Sequence, residues 1–315
     1  MRLLIYLPLL IPALAAAGVR PLAARLDPRE ATWLLTAATV VLACCSTAAL
    51  ALLVASAAAQ QPTLAALRHY SQPVLRRGDP TSVLIGVVAA AGLTAAALAV
   101  AITLRRRARG LAESYRRAAR LPDDGTIVVV PGPAVEAYAL PGSPGRIVVS
   151  GRLFQALDPG GRTALLAHER AHLAARHHLF TTVAHLAAAA NPILLPLART
   201  VDYTVERWAD EHAARVTGDR RLVAATIGQV AMLATPEPRR TAAVTLGIVA
   251  AHSRRVSVAW AGPVPRRVAA LLAPPPRTRA LLLAAAVVVV LLAGASAFQA
   301  AVDLHTLLEL AHGGH

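Results

Sequence analysis

Long uncharged runs alternate with short polar connectors along this chain. Ala31 to Ala59, Thr81 to Leu104 and Ala280 to Val302 carry no charged side chain, and each is long enough as a helix to cross a hydrocarbon core of about 30 Å. Leu3 to Val19 is a shorter run of the same kind, broken by Pro8 and Pro12. It reads as a first span, although its short basic start and the Ala-rich end at Ala15 to Ala17 also fit a signal peptide. Thr181 to Ala198 is uncharged too, but Asn191-Pro192 and Pro196 interrupt it, which predicts a membrane-contacting helical hairpin or a buried helix pair instead of a single crossing.

Between the third and last spans the pattern changes. Thr126 to Val130 is short and β-branched, bounded by Asp123-Asp124-Gly125 and Pro131-Gly132-Pro133, and reads as a buried strand. Ala137 to Leu140 and Arg146 to Ser150 flank Pro141-Gly142-Ser143-Pro144-Gly145 as the arms of a hairpin. Such a sheet either offers an edge to an extended peptide or only packs the next helix. That helix starts at Asp158-Pro159, an N-cap followed by proline at the first helical position, and Leu165, Leu166 and Leu173 give it an apolar side.

Charge fixes how the spans are expected to run. All 32 basic residues are Arg, against 17 acids, for a net charge of +15. Seven of them (Arg105, Arg106, Arg107, Arg109, Arg116, Arg117 and Arg120) follow Leu104 directly, and Arg266, Arg267, Arg277 and Arg279 precede the last span. The tail from Asp303 to His315 has none. By the positive-inside rule, residues 105–279 lie in the cytoplasm and 303–315 outside, so the N-terminus starts outside and spans 3–19, 31–59 and 81–104 precede the cytoplasmic segment. The Arg-only usage and abundance of Ala point by association to a GC-rich bacterial genome. Aromatics make up only 3 % of the chain, too few stacking platforms for a nucleic-acid binder, so the charge is better read as membrane-surface charge. A hydrophobic content of 56 % and a mean hydropathy of +0.53 agree with several membrane segments. Cys44 and Cys45 are adjacent in an apolar run and form no disulfide framework.

The chemistry sits at His168-Glu169-Arg170-Ala171-His172. On a helix, imidazoles four residues apart share a face and can grip one metal ion, while a glutamate one residue on is rotated by about 100°, placed to reach a metal-bound water without becoming a ligand. This is the H-E-x-x-H signature of zinc-dependent peptide hydrolysis. Two histidines need a third protein ligand, with the fourth position left for water. In VERWADEHAAR, Glu206 supplies a suitable carboxylate, and Asp210, one turn on, is placed to accept the other ring N–H of a zinc-bound histidine. His177 and His178, at the end of the motif helix, read as caps or surface residues. His185 and His252 read as packing residues, His212 as the best candidate for an auxiliary oxyanion donor, and His305, His312 and His315 as part of a mobile tail.

The stretches AYALPGSPGRIVVSGRL, AHERAH, ERWAD and PVPRRVAALL together resemble the gluzincin metallopeptidases of the bacterial membrane. Three spans before the catalytic segment and one after make the layout most similar to the Bla/Mec antibiotic-response signal-transducer peptidases. The resemblance implies one zinc ion on His168, His172 and Glu206, Glu169 as catalytic base and Asp210 behind the ligands. It implies a polytopic α-helical membrane protein with a cytoplasmic, mainly α (α+β) zincin-like metallopeptidase domain. Its substrate would be a protein or peptide such as a cytoplasmic transcriptional repressor, or the enzyme itself. With 13 residues after Val302, the chain is expected to lack the C-terminal penicillin-binding sensor domain of the best-known members. Related membrane proteases often carry a His-Pro pair upstream of an Arg; here Gly262-Pro263 stands there, with Arg267 as the counterpart. A housekeeping protease of membrane proteins, or a receptor that keeps the zinc fold as a structural switch, is the competing expectation, and the presence of Glu169 favours an enzyme over the receptor.

Overall fold

The structure, a computed structural model, describes residues 7–61, 83–121, 125–132, 134–142, 145–234, 264–275 and 280–312. The connector with Arg68, Arg76 and Arg77, as well as His252, Gly262-Pro263 and His315, lies outside the described residues. Ten α-helices and three strands are described, beginning with α1 (Leu7–Arg25), α2 (Pro28–Ala59) and α3 (Val83–Arg120). The chain then runs through β1 (Ile127–Val130), β2 (Ala137–Leu140), β3 (Arg146–Ser150), α4 (Gly151–Ala156), α5 (Pro159–Ala174), α6 (His177–Ala190) and a 3-10 turn (Pro192–Leu194). It continues through α7 (Leu195–Thr217), α8 (Arg220–Ala234) and α9 (Val264–Leu272), and α10 (Ala280–His312) closes the described chain.

Side-chain caps start two of the helices, one at the predicted Asp158-Pro159 and one, before the span placed at Ala31, at Asp27-Pro28. Asp27 caps α2 through its carboxylate, which accepts from the Arg29 and Glu30 amides, with Pro28 at the first helical position. Asp158 does the same for α5, accepting from the Gly161 amide at 2.6 Å. Among the described residues three helices are long and apolar enough to cross a membrane: α2, α3 and the Ala286–Asp303 part of α10. Val83, Leu84, Val87, Val88 and Leu98 of α3 remain exposed, an apolar surface that suits lipid better than water. The predicted first span differs. Its helix carries Pro12 and Pro21, runs on past Arg20 to Arg25, and buries Ile11, Val19 and Ala23 against neighbouring helices.

Two further boundaries differ from the hydropathy reading. The arginine-rich stretch after Leu104 is no separate element but the continuation of α3 to Arg120, since Gly110 is its one poor helix former and strong ones (Arg, Ala, Leu, Glu) flank it. The tail after Val302, expected to be mobile, continues α10 to His312, with exposed His305 3.1 Å from Glu309 one turn on.

Two cores hold the fold together. In the three-stranded sheet the order is β1-β3-β2, with β1 parallel and β2 antiparallel to the central β3. Every residue of β3 is buried, and Ile147 and Val149 pack with Leu153, Leu165, Ile227 and Leu271 under the motif helix. Ser150 ends the strand and caps α4, its hydroxyl accepting from the Leu153 amide. The second core joins α1, α2 and α10 to α6 and α7. Leu35 and Leu42 of α2 and Ala293 of α10 meet Ala184, Leu197 and Val201.

The interrupted run Thr181 to Ala198 is thus a helical hairpin: α6 ends at Ala190, and α7 returns beside it. Asn191 makes the bend, accepting from the Ile193 amide at 3.1 Å and donating to Ser46 of α2 at 2.9 Å. One face is buried in the bundle, while Leu179, Val183 and Ile193 stay exposed. Because the chain doubles back, the acidic half of α7 comes alongside α5.

A candidate metal centre between three helices

Helix α5 presents His168 and His172 on one face, with their Nε2 atoms 3.0 Å apart. From α7, Glu206 brings Oε2 to 3.6 Å from His168 Nε2 and Oε1 to 3.6 Å from His172 Nε2. One ligand atom from each of the three lies within 4.8 Å of the others. Ligands at about 2.0–2.2 Å from a tetrahedral zinc are separated by about 3.3–3.5 Å, so two imidazoles and a carboxylate at these spacings fit that ion and leave a fourth position open.

Asp210, one turn after Glu206, lies behind His168, with Oδ1 3.0 Å from His168 Nδ1. A carboxylate there accepts the Nδ1 proton and turns Nε2 towards the two other ligands. Both groups are almost fully buried. Glu169 is buried as well, and its charge favours the protonated forms of His172 and Arg267, which places the carboxylate in the electrostatic neighbourhood of the site.

Helix α9 contributes Arg267, fully buried. Its guanidinium forks onto Asp210 (Nε to Oδ2 2.8 Å, Nη2 to Oδ1 2.5 Å), and Nη1 lies 3.0 Å from Glu206 Oε2. Arg220 of α8 holds that helix in place by donating to the terminal carbonyls of Leu271 and Ala270, and it pairs with Glu211 of α7. The sequence marked Arg267 only as a counterpart by resemblance; the structure gives it the role of counter-charge to both carboxylates.

These neighbours set the ionisation of the metal-free site. Burial alone would raise Glu206, but Arg267, His172 and His168 bring it down to about 2. Burial works against Asp210 in the same way, and Arg267 and His168 hold it well below the carboxylate range. Burial would lower His168, yet the hydrogen bonds to Asp210 and Glu206 raise it to about 9. For His172 burial wins, and its pKa falls.

The remaining histidines separate. His177, expected at the surface, is 1 % exposed. The motif helix ends at Ala174, Arg176 takes a left-handed conformation (φ 50°), and His177 opens α6 with its Nδ1 3.0 Å from His172 Nδ1. Nothing in the local residue types signals that break, because Arg has no preference for positive φ. Trp208, on α7 two residues after Glu206, lies against His177 with ring centroids 4.6 Å apart. His185 bonds Asp202 at 2.8 Å, tying α6 to α7. His212 is partly exposed, and no hydrogen bond or ion pair joins it to the site among the described residues.

Residues 101–187 match the family model of peptidase family M48, a stretch that covers the end of α3, the sheet, α5 and most of α6. The match includes His168, Glu169 and His172 and stops before Glu206, Asp210 and Arg267. It supports a metallopeptidase of the zincin type, carried on a chain with helices able to span a membrane. The Bla/Mec likeness continues to rest on span layout and motifs. No curated protein and no solved structure matches the chain.

Proposed function

We propose that this protein is a membrane-embedded zinc endopeptidase whose catalytic segment, residues 105–279, faces the bacterial cytoplasm and acts in regulated proteolysis. The observation that carries the enzymatic part is the convergence of His168, His172 and Glu206 from two helices, with Asp210 on the outer nitrogen of His168. A bound zinc ion supplies Lewis acidity, lowering the pKa of a coordinated water to about 7 and polarising a carbonyl.

This chain's own residues do the rest. His168, His172 and Glu206 would hold the ion, and Asp210 would keep His168 in the tautomer whose Nε2 is bare. Glu169 takes a proton from the attacking water and passes it to the leaving amine as the peptide C–N bond breaks. Arg267 neutralises the carboxylates that would otherwise be buried with their charge unbalanced.

The membrane and signalling parts rest on the arginine-rich end of α3, the span layout and the doubling back of α6 and α7. The substrate is a protein or peptide, and we assign it to a cytoplasmic repressor or to the enzyme itself. Metal content tests the ligand set. Glu206→Gln loses zinc and activity together, since an amide oxygen is a weak ligand, and Asp210→Asn falls between it and the wild type, with a loss of about 10- to 100-fold. Full zinc in Glu206→Gln contradicts the ligand set. Comparing proteomes with and without the gene tests the signalling role: one stabilised repressor supports it, and a general build-up of misfolded membrane proteins assigns the enzyme to housekeeping.

A further inference from the structure

We infer that His177 is a positioning residue for the metal centre: it accepts the Nδ1 proton of His172 and so keeps the Nε2 of His172 bare for zinc. The inference rests on the zinc reading above and adds a residue that the H-E-x-x-H pattern does not contain.

The geometry begins at Arg176. Had α5 continued unbroken, residue 177 would lie five positions beyond His172, about 140° round the helix and away from it. The left-handed residue at Arg176 ends α5 and starts α6 in a new direction. His177 is brought back under His172, with ring centroids 4.8 Å apart and planes at 89°. Trp208 also packs on the His177 imidazole, with ring centroids 4.6 Å apart. A left-handed arginine, a buried histidine and a tryptophan on the ligand-bearing helix are thus all used to seat one ring.

Hydrogen-bond complementarity then fixes the roles. A neutral imidazole carries its proton on one nitrogen only. For His172 to offer Nε2 to a metal, its proton has to sit on Nδ1, and the atom 3.0 Å from that Nδ1 is His177 Nδ1. His177 therefore accepts there and carries its own proton on Nε2, a buried atom with no hydrogen-bond partner among the described residues. Were His177 to donate instead, the proton of His172 would be forced onto Nε2 and would occupy the metal position. Each histidine ligand thus has its own outer partner: the Asp210 carboxylate for His168 and a neutral imidazole for His172. An imidazole supplies the acceptor without adding a further negative charge beside Glu169, Glu206 and Asp210.

The test compares zinc affinities of the full-length protein in detergent, by competition with a chromogenic chelator. His177→Phe fills the space against Trp208 but has no acceptor, and we expect it to bind zinc about 10- to 100-fold more weakly while the metal-free protein keeps the wild-type melting temperature. His177→Asn places Oδ1 where Nδ1 stood and restores affinity to within about threefold of wild type, as a hydrogen-bond role requires. Wild-type affinity in His177→Phe overturns the inference, as does His177→Asn binding as weakly as His177→Phe, which would reduce His177 to packing. An independent reading uses 15N-histidine NMR of the zinc-loaded wild type: His172 protonated on Nδ1 and His177 on Nε2 agree with the inference, and a proton on His177 Nδ1 overturns it. A wild type that takes up no zinc would instead remove the zinc reading itself.

Discussion

Arg267 engages both oxygens of Asp210, through Nε at 2.8 Å and Nη2 at 2.5 Å, and the same guanidinium lies 3.0 Å from Glu206 through Nη1. One buried cation therefore serves two carboxylates, the buried Asp210 and the partly buried Glu206. Arg267→Ala removes that cation and leaves both carboxylates to protonated His168 alone, and we expect a loss of about 3–5 kcal/mol, read as a large fall in melting temperature in detergent. Arg267→Lys recovers only part of it, because an ammonium cannot fork across two carboxylates. A wild-type melting temperature in Arg267→Ala would contradict this role.

Proton release should accompany metal uptake. In the metal-free site His168 has a pKa of about 9, so at pH 7 it holds a proton that zinc has to displace. Calorimetry at pH 7 in buffers of different ionisation heat should give about one proton from His168 and about half a proton from the zinc-bound water released per zinc, the His168 share declining as the pH passes 9. Zinc uptake at pH 7 with release of only about half a proton would show that His168 is already neutral.

The same shifts set the acid and alkaline limits of the metal-free protein. Glu206 is depressed from 4.5 to about 2, so its contribution is complete above pH 4.5 and is lost as the pH falls towards 2. His168 is raised from 6.5 to about 9, so its contribution is complete below pH 6.5 and is lost as the pH rises through 9. Melting temperature measured against pH, with chelator present, should have its plateau between these limits. A plateau centred above pH 9 would oppose the assignment.

Packing in the membrane bundle gives a prediction remote from the metal. Gly86 of α3 faces α2 so closely that an added Cβ would fall on the Ala57 methyl group. Gly86→Ala should push the two helices apart and cost about 1–3 kcal/mol as overpacking, whereas Gly110→Ala on the same helix has nothing within 4 Å and should be neutral or slightly stabilising. Equal melting temperatures for the two variants would deny a tight α2–α3 contact.

What the sequence revealed was local. His168 and His172 share a face because a helix repeats every 3.6 residues, and Asp158-Pro159 marks where that helix starts. The hairpin at Asn191 was legible because proline and asparagine break an apolar helix. Arg267 could not be read in the same way. It lies 57 residues from Asp210, and residue types in PVPRRVAALL do not tell which of two adjacent arginines turns inward. His177 was hidden by its surroundings: an Arg in a left-handed turn has no sequence signature, and His177-His178 after a helix resembles an ordinary C-terminal cap. Asp303 did not end the last helix, since one acid in an otherwise helix-favouring run is no breaker.

The central claim is a zinc site in which Glu169 serves as base and not as ligand, and one variant measured two ways tests it most directly. Glu169→Gln in the full-length protein, purified in zinc-replete buffer, should retain about one zinc per chain by elemental analysis, because the side chain lies outside the ligand set. Its cleavage of casein or of itself should fall by about 10²- to 10⁴-fold, since an amide cannot accept the water's proton. Zinc retained with cleavage undiminished would contradict the assignment of Glu169, and a wild-type protein free of zinc after the same purification would contradict the account as a whole.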